Sequence, residues 1–204
     1  MLMPGGRKIV GVWVDNAIRE GTYTQPDGTI YEGQWEFRER NGQGILTFPD
    51  GRKYVGEFKS GPRHGKGRMT WPDGRLYVGE FKYGERTGQG TMTYPDGKKY
   101  TGEFEGGERN GRGTLVYPDG RTLEGEFKSG PRHGKGTMTW PDGRLYVGDF
   151  KYGERTGQGT MTYPDGKKYT GDFEGGERNG RGTLVYPDGR TLEGEFKNGE
   201  FVKK

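Results

Sequence analysis

Apolar and polar residues alternate in two short stretches of the chain that are separated by a segment containing proline and glycine. In residues 67–71 (GRMTW), glycine, methionine and tryptophan alternate with arginine and threonine. In residues 77–81 (YVGEF), tyrosine, glycine and phenylalanine fall on one side. A period of two residues is typical of a β-strand whose faces meet different surroundings. The two stretches are therefore predicted to be neighbouring strands with one aromatic face and one polar face.

The connections between such strands are too short to contain a helix. In the segment 71–74 (WPDG), proline favours the second position of a type I turn, and Gly74 can adopt the positive φ that closes a hairpin. The segment 83–87 (YGERT) makes the next reversal, with Gly84 free to take a left-handed conformation. Because consecutive strands are joined by tight turns, the sheet is predicted to be antiparallel.

The same pattern recurs along nearly the whole chain with a period of 23 residues. Pairs of glycines of the form GxG begin at every 23rd residue from Gly42 to Gly180, and each is followed by an aromatic residue and PDG. Residues 1–18 form a half repeat in which Pro4–Gly6 take the place of PDG, and residues 203–204 form a tail. With two strands per repeat and one in the half repeat, about 17 strands are expected. The eight predicted repeats are 19–41, 42–64, 65–87, 88–110, 111–133, 134–156, 157–179 and 180–202.

A longer repeat is superimposed on the short one. Residues 65–128 and 134–197 are identical at 61 of 64 positions. The array therefore contains a 69-residue super-repeat, in which 65–133 is followed by 134–202. We interpret the copied block as an engineered extension of a shorter repeat protein, with recent duplication as the alternative.

Large rings and glycines are predicted to share one face of the sheet. A glycine normally weakens a strand, but its missing side chain also leaves a slot in which a neighbouring ring can lie. Since each ring can bury about 150–250 Å², a stack of rings over glycines could supply a core without a second layer. The predicted slots are Gly56, Gly79, Gly102, Gly125, Gly148, Gly171 and Gly194. The predicted aromatic stack comprises Trp35, Tyr54, Phe58, Trp71, Tyr77, Phe81, Tyr94, Tyr100, Phe104, Tyr117, Phe127, Trp140, Tyr146, Phe150, Tyr163, Tyr169, Phe173, Tyr186 and Phe196.

The composition is unusual for a globular protein and excludes several kinds of site. Only 27% of the 204 residues are hydrophobic and 43 are glycine, but 13% are aromatic and recur at fixed positions, which argues against disorder. The absence of cysteine excludes disulfides and thiolate sites. The net charge of +4 comes from interspersed charges, which argues against nucleic-acid binding. No membrane-spanning run or signal peptide is evident, so a cytoplasmic location is expected.

The string YxGEFxxGxxxGxGxxxxPDG closely resembles the MORN repeat (membrane occupation and recognition nexus). Its spacing recurs in nearly every copy, although leucine replaces the usual tyrosine at Leu123 and Leu192. The resemblance implies an all-β fold: an elongated, twisted single-layer antiparallel β-sheet made of tandem 23-residue β-hairpin repeats. The residues that carry the match are Tyr77–Phe81, Gly84, Gly88, Gly90 and Pro95–Gly97.

The resemblance implies less about function than about fold. Proteins with such repeats include junctophilins, plant phosphatidylinositol phosphate kinases, alsin and cytoskeletal scaffold proteins. In some of them the repeats have been linked to acidic lipids, and in others to dimerisation or partner docking. No catalytic domain accompanies the repeats in this sequence.

Candidate catalytic and metal-binding residues are few and are spaced like the repeats. The only histidines are His64 and His133, and the only serines are Ser60 and Ser129, each pair one super-repeat apart. A nucleophile and its base must converge on one point, whereas a linear array presents the same groups at intervals. The aspartate of each PDG segment is expected to bond its own turn rather than a calcium ion. We therefore predict no enzyme activity, no metal and no cofactor.

Basic residues crowd one reversal and its copy. The candidate contacts to anionic lipid are Lys59, Arg63, Lys66, Lys128, Arg132 and Lys135. Several such cations near an acidic bilayer could give weak adhesion. Because glutamates interrupt these loops, a solvated and charge-balanced rim is the favoured interpretation.

The leading hypothesis is a non-catalytic structural or interaction scaffold whose partner is a protein or a second copy of the chain. The alternatives are a peripheral module for acidic phospholipids such as phosphoinositides, and homotypic assembly through the first and last strands, whose edges are expected to be unpaired. Pro4 and Val202–Lys204 are expected to blunt those edges. No small-molecule substrate is predicted.

Overall fold

The computed structural model describes residues 2–3, 7–15 and 17–202, which group into two compact units. The first unit contains residues up to 97 together with 104–107, and the second contains 98–103 together with 108 onwards. All regular secondary structure within the described residues is β-strand. Pro4–Gly6 and Lys203–Lys204, to which the sequence assigned a turn and an edge-blunting tail, lie outside the described residues.

Nineteen strands run through the described residues. They are β1 (Leu2–Met3), β2 (Arg7–Val14), β3 (Ala17–Thr24), β4 (Ile30–Glu36), β5 (Glu39–Thr47), β6 (Lys53–Phe58), β7 (Arg63–Thr70), β8 (Leu76–Lys82), β9 (Glu85–Thr93), β10 (Lys99–Glu105), β11 (Glu108–Val116), β12 (Thr122–Phe127), β13 (Arg132–Thr139), β14 (Leu145–Lys151), β15 (Glu154–Thr162), β16 (Lys168–Glu174), β17 (Glu177–Val185), β18 (Thr191–Lys197) and β19 (Glu200–Phe201).

The strands pair in chain order, and every pair is antiparallel. In the first unit this order runs from β1 to β9, and in the second from β11 to β19. The predicted all-β, single-layer antiparallel sheet of hairpin repeats is confirmed. The 17 strands expected from the repeats correspond to β2 through β18, each six to nine residues long.

Two kinds of turn alternate along each unit, as the sequence predicts. At the PDG turn, the amide of Gly74 donates to the carbonyl of Trp71 over 3.0 Å, and Gly74 has a φ of 88°. This is a type I turn closed by a glycine bulge. At the other turn, Tyr83 and Gly84 have φ values of 52° and 87° between the paired residues Lys82 and Glu85. Positive φ at both central positions defines a type I′ turn, whose twist matches that of the strands.

Tyrosine rings lying on glycines form the inner core of both units. Gly67, Gly79 and Gly90 are direct partners on three successive strands. The ring of Tyr77 lies over Gly79 and Gly90, so that a Cβ on Gly90 would stand 2.5 Å from its Cε2 atom. The ring is fully buried because nothing but backbone lies beneath it and other rings flank it. The tyrosines with no exposed surface are Tyr31, Tyr54, Tyr77, Tyr100, Tyr146 and Tyr169.

Phenylalanines complete this core by packing edge-on against the tyrosines. The ring centroid of Tyr77 lies 5.2 Å from that of Phe81 and 4.9 Å from that of Phe104, both in T-shaped geometry. Such pairs stabilise by about 0.5–1.5 kcal/mol beyond the area they bury. A row of aliphatic side chains adjoins the rings and is also buried: Leu46, Met69, Met92, Leu115, Met138, Met161 and Leu184.

The glutamate of the YxGEF segment repairs a break in the hydrogen-bond ladder. The register between β6 and β7 shifts between Gly56 and Phe58, and Oε1 of Glu57 accepts a 3.0 Å bond from the amide of Lys66 there. A Cβ on Gly65 would stand 2.7 Å from Cδ of Glu57, so the first glycine of GxG makes room for this carboxylate. The sequence suggested pairing of these acids with Lys or Arg, and both contacts occur, as in the Lys135–Asp149 ion pair of 3.2 Å.

The outermost strands differ from the expectation of unpaired edges. Leu2 and Met3 of β1 pair with Lys8 and Arg7 of β2. At the other end, Glu200 and Phe201 of β19 pair with Lys197 and Phe196 of β18. The prediction was wrong for these residues because the chain continues past each outer strand, turns back and pairs with two of its residues.

We expect Gly90→Ala to lower the free energy of unfolding by about 1–3 kcal/mol, because the added methyl must displace the buried Tyr77 ring. Gly159→Ala should have a similar effect, since the Tyr146 ring lies over that glycine in the second unit. Urea unfolding monitored by circular dichroism measures both. Val78→Ala, on the exposed opposite face, is the control. Equal stability of Gly90→Ala and Val78→Ala would contradict this account of the core.

Candidate functional site

A second layer of side chains covers the ring core on the aromatic face. Its main members are arginines that recur every 23 residues, here called the arginine row: Arg40, Arg63, Arg86, Arg109, Arg132, Arg155 and Arg178. Arg63 is representative. Its guanidinium carbon lies 5.5 Å from the ring centroid of Phe48 and 5.8 Å from those of Tyr54 and Phe81. A guanidinium at this distance from a ring makes a favourable cation–π contact.

Each guanidinium of this kind also ties one repeat to the turn of the next. Nη2 of Arg63 donates to the carbonyl of Gly84, and Nη1 lies 3.5 Å from Sδ of Met69. The same bond to a turn carbonyl joins Arg86 to Gly107, Arg155 to Gly176 and Arg178 to Gly199. Because these bonds use only part of the donor capacity of a guanidinium, further donors remain for a ligand.

The aromatic residues that precede PDG belong to this outer layer and not to the ring core. Trp71 is half-buried, with the guanidinium carbons of Arg75 and Arg86 at 5.2 and 5.3 Å from its ring centroid. These residues were predicted to share one stack with the buried rings, and that part of the assignment needs correction. The reason is that they stand at the turn end of the strand, where guanidinium groups separate them from the tyrosines. The half-buried outer aromatics are Trp71, Tyr94, Tyr117, Trp140, Tyr163 and Tyr186.

The remaining predicted stack residues lie in the ring core, and the structure adds Tyr31 to them. Trp35 packs edge-on against Tyr31 at 5.1 Å. The buried members of the predicted set are Trp35, Tyr54, Phe58, Tyr77, Phe81, Tyr100, Phe104, Phe127, Tyr146, Phe150, Tyr169, Phe173 and Phe196. Among the predicted slots, a tyrosine ring lies against Gly56, Gly79, Gly102, Gly148 and Gly171, whereas Gly125 and Gly194 are covered differently.

Charges are distributed unequally between the two faces. Strand carboxylates such as Glu57 and Glu80 project to the face opposite the rings, because they alternate with Tyr, Gly and Phe. The turn aspartates are paired at once, as in the 2.7 Å contact between Asp73 and Arg75, and the backbone amide of Arg75 lowers the pKa of Asp73. Burial lowers the pKa of Arg63, but a guanidinium is charged at neutral pH. The aromatic face is therefore cationic.

Arg132 departs from the arginine row because Leu123 stands where other repeats have tyrosine. Its side chain is only 1% exposed and lies over Gly125 and Gly136, in the slot that a phenol ring fills elsewhere. The guanidinium donates to the carbonyls of Glu126, His133 and Lys135, while its Nε lacks a partner among the described residues. A buried donor without a partner costs about 1–3 kcal/mol, so this repeat is less favourable than its neighbours.

The last repeat solves the same problem with a ring. Leu192 also replaces tyrosine, and Phe201, nine residues later, lies 3.2 Å from where a Cβ on Gly194 would be. Phe201 occupies the position in the repeat that Arg132 occupies one super-repeat earlier. An apolar ring covers the slot without burying a charge.

The basic residues predicted to contact lipid do not form one set. Lys59, Lys66, Lys128 and Lys135 are exposed, whereas Arg63 is half-buried in the outer layer. Arg132 is withdrawn from the surface altogether, so it cannot contact a lipid headgroup in this structure. Its burial follows from the leucine at position 123, which a search for basic loops does not consider.

The histidines and serines remain isolated from one another in function. His64 packs edge-on against Tyr83 at 6.0 Å, and His133 packs likewise against Tyr152 at 4.9 Å. Ser60 and Ser129 are exposed at turns with positive φ. Within the described part of the chain, no three His, Cys, Asp or Glu side chains are close enough to hold a metal ion. The described residues also include no helix whose length and hydropathy would let it cross a membrane.

Comparisons with known proteins agree with the repeat geometry. The family model for the MORN repeat matches residues 31–51, 54–74, 77–99, 100–120, 124–143, 146–168 and 169–189. No curated protein sequence matches the chain. One similar solved structure is the SAS-4 (dCPAP) TCP domain of Drosophila melanogaster in complex with a proline-rich motif of Ana2 (dSTIL). It has 17% identity and a TM-score of 0.50 over 76% of this chain and 85% of that one.

A second similar structure is the wild-type TCP10 domain of Danio rerio CPAP. It has 17% identity and a TM-score of 0.46 over 96% of this chain and 99% of that one. At these identities the likeness concerns the fold.

We expect Leu123→Tyr to raise the free energy of unfolding by about 1–3 kcal/mol, because the phenol would fill the slot and release the buried Arg132 guanidinium. Urea denaturation measures the gain. Leu192→Tyr is the matched control, and its gain should be smaller because Phe201 already covers that slot. A Leu123→Tyr chain no more stable than the parent would refute the assignment of Arg132 as an unfavourable substitute.

We expect the protein to lose stability between pH 10 and about 12. Burial raises the pKa of Tyr31, Tyr77, Tyr146 and Tyr169 to about 12, against 10.0 for an unperturbed tyrosine. The unfolded chain therefore releases these protons first, so stability is complete below pH 10 and falls as the pH rises towards 12. Alkaline titration of tyrosine absorbance, alongside circular dichroism, measures this. Complete ionisation near pH 10 with the fold intact would contradict it.

Proposed function

The chain belongs to the MORN repeat family, and from that premise we propose that it is a non-catalytic scaffold that binds a segment of another protein across its aromatic face. The observation that carries the proposal is the outer layer of half-buried aromatics and arginines, which recurs with every repeat above a sealed core. Aromatic residues and arginine are the types enriched in protein interfaces. The lining is thus suited to an extended partner and not to a compact substrate.

The repetition of the site argues for binding rather than catalysis. An active site needs unlike groups that converge on one reacting atom. Here each repeat offers the same aromatic ring, the same guanidinium and the same turn carboxylate at fixed intervals. The similar SAS-4 domain was solved in complex with a proline-rich motif, which supports an extended segment as the class of ligand.

A second candidate function is peripheral binding to acidic phospholipids. It is supported by the exposure of Lys59, Lys66, Lys128 and Lys135, which would each add about 1 kcal/mol of attraction near an anionic surface. These lysines are few, and Lys135 is already paired with Asp149. A third candidate, self-association, is supported by the exposed Val10, Val12 and Val14 of β2.

We further infer that the chain is an artificially lengthened form of a shorter MORN-repeat protein. The support is the copied block with 61 identities in 64 positions. Leu123 and Leu192 are equivalent in the two blocks, but only Leu192 has Phe201 to cover its glycine. An arrangement suited to the end of an array has been copied into its interior.

The binding proposal is tested by selection from a library of random dodecapeptides against the full chain. We expect enriched peptides whose affinity falls at least about tenfold on Trp71→Ala together with Trp140→Ala, since both outer rings would be removed. Val78→Thr and Val147→Thr, on the opposite face, are the matched controls and should leave affinity unchanged. Enriched peptides that are indifferent to both tryptophans would defeat the proposal.

The same preparation distinguishes the other candidates. Co-sedimentation with phosphoinositide-containing vesicles at physiological salt, above neutral-lipid controls, would favour the membrane function. Light scattering that rises with protein concentration would favour assembly of copies.

A further inference from the structure

The distance between repeats on the aromatic face limits which partner conformation can stay in register with them. Adjacent strands lie about 4.8 Å apart, so a two-strand repeat recurs about every 9.6 Å across the sheet. In the second unit four outer aromatics follow one another at this interval: Tyr117, Trp140, Tyr163 and Tyr186. A ligand that makes the same contact with each ring must have a matching period.

A polyproline II helix has nearly this period. Three residues complete one turn and advance about 9.3 Å, so the mismatch grows by only about 0.3 Å per repeat. Seven residues of an α-helix advance about 10.5 Å, and the mismatch reaches nearly 3 Å over three intervals. Three residues of a β-strand span about 10 Å but present alternate faces, so they cannot repeat one contact. The spacing therefore selects polyproline II.

The chain itself contains proline rings that pack side by side at this interval. The Cγ atom of Pro72 lies 3.0 Å from where a Cβ on Gly51 would be, one repeat earlier, and Pro187 stands in the same relation to Gly166. Prolines on successive repeats are thus accommodated along the PDG turns. Rigid proline-rich segments also lose little conformational entropy on docking against aromatic rings.

The charge of the aromatic face specifies the residues between the prolines. Arg155 is representative, with its guanidinium carbon 5.3 Å from Trp140 and one bond to the carbonyl of Gly176. The acids of the strands project to the other face, and the turn aspartates are paired with Arg121, Arg144, Lys167 and Arg190. A carboxylate at every third ligand residue would therefore meet one arginine of the row per repeat, in a charge-assisted hydrogen bond.

We propose that the aromatic face of each unit binds an acidic, proline-rich segment in the polyproline II conformation, which runs across the strands with one Pro-x-Glu triplet per repeat. This inference rests on the proposed binding function and adds the conformation, register and charge of the partner. Proline packs against the outer aromatic residue, and the glutamate contacts the arginine row. Trp140 and Arg155 are the main contacts in the second unit, and Trp71 and Arg63 in the first.

The test compares three synthetic dodecapeptides by isothermal titration calorimetry with the full chain. The first contains four Pro-Ala-Glu triplets, the second the same twelve residues with prolines at irregular spacing, and the third lysine in place of glutamate. We expect the ordered acidic peptide to bind at least about tenfold more tightly than either of the others. Shortening it from four triplets to two should weaken binding with each triplet lost, because each triplet contacts one repeat.

Variants then locate the site. Trp140→Ala should weaken the ordered peptide at least about tenfold, while Trp140→Phe should retain most of the affinity because a ring remains. Val147→Thr, exposed on the opposite face, is the matched control. Arg155→Lys should cost affinity while keeping the charge, because the planar fork is lost. Thermal unfolding of each variant confirms that the chain is folded.

Specific outcomes would overturn the inference. Equal affinity for the ordered and irregular peptides, or for the lysine peptide, would show that register or charge is not recognised. Loss of binding with Val147→Thr but not with Trp140→Ala would place the ligand on the other face. If library peptides bind the aromatic face but the ordered peptide has no advantage over its isomer, the scaffold function stands and the register fails. If library peptides are indifferent to Trp71 and Trp140, the scaffold proposal fails as well.

Discussion

A tyrosine ring lying flat on the glycines of two adjacent strands is the contact on which the rest of this structure depends. A single sheet has no second layer to cover its core, so the rings must be covered from below by backbone and from the side by one another. The ring of Tyr77 achieves this because Gly79 and Gly90 lack the methylene that would lift it. Its hydroxyl then donates to the carbonyl of Glu80 over 3.0 Å, so burial leaves no polar group of this side chain without a partner. A chain that is 27% hydrophobic can fold because large rings replace aliphatic volume.

The same constraint explains why each repeat spells nearly the same residues. The first glycine of GxG makes room for a carboxylate that bridges a bulge, as Gly65 does for Glu57, and the second lies beneath a ring. Above the rings, guanidinium groups take the place that a second layer would have, since they can stack on aromatics and hydrogen-bond to the next turn at once. The layer that seals the core is thus also the layer proposed to meet the partner. Stability and recognition would then share residues such as Arg63, which contacts Phe48, Tyr54 and Phe81.

Much of the fold could be predicted from the sequence because its determinants are local. The turn at Gly74 and the facing of Tyr77 and Phe81 follow from residue type and a period of two. Depth could not be predicted in this way, because alternation says which face a side chain joins and not how far it reaches. Trp71 and Tyr77 share a face but lie in different layers. Arg63 and Arg132 were assigned to basic loops, although their recurrence at every 23rd residue, in step with the rings, was a signal of a structural role. The burial of Arg132 depends on an absent phenol at position 123, nine residues away, which no local pattern contains.

The near-identity of residues 65–128 and 134–197 has a consequence for how the chain reaches its native pairing. A strand chooses its neighbour by side-chain complementarity, yet here each strand of one block has a nearly identical counterpart in the other. A folding chain can therefore close on the wrong block, looping out 69 residues with almost every local contact satisfied, or can exchange blocks with another molecule. What opposes such misassembly is mainly the shorter loop of the correct neighbour, an advantage in entropy that grows only slowly with loop length. Lengthening an array by verbatim copying thus trades uniqueness of pairing for size.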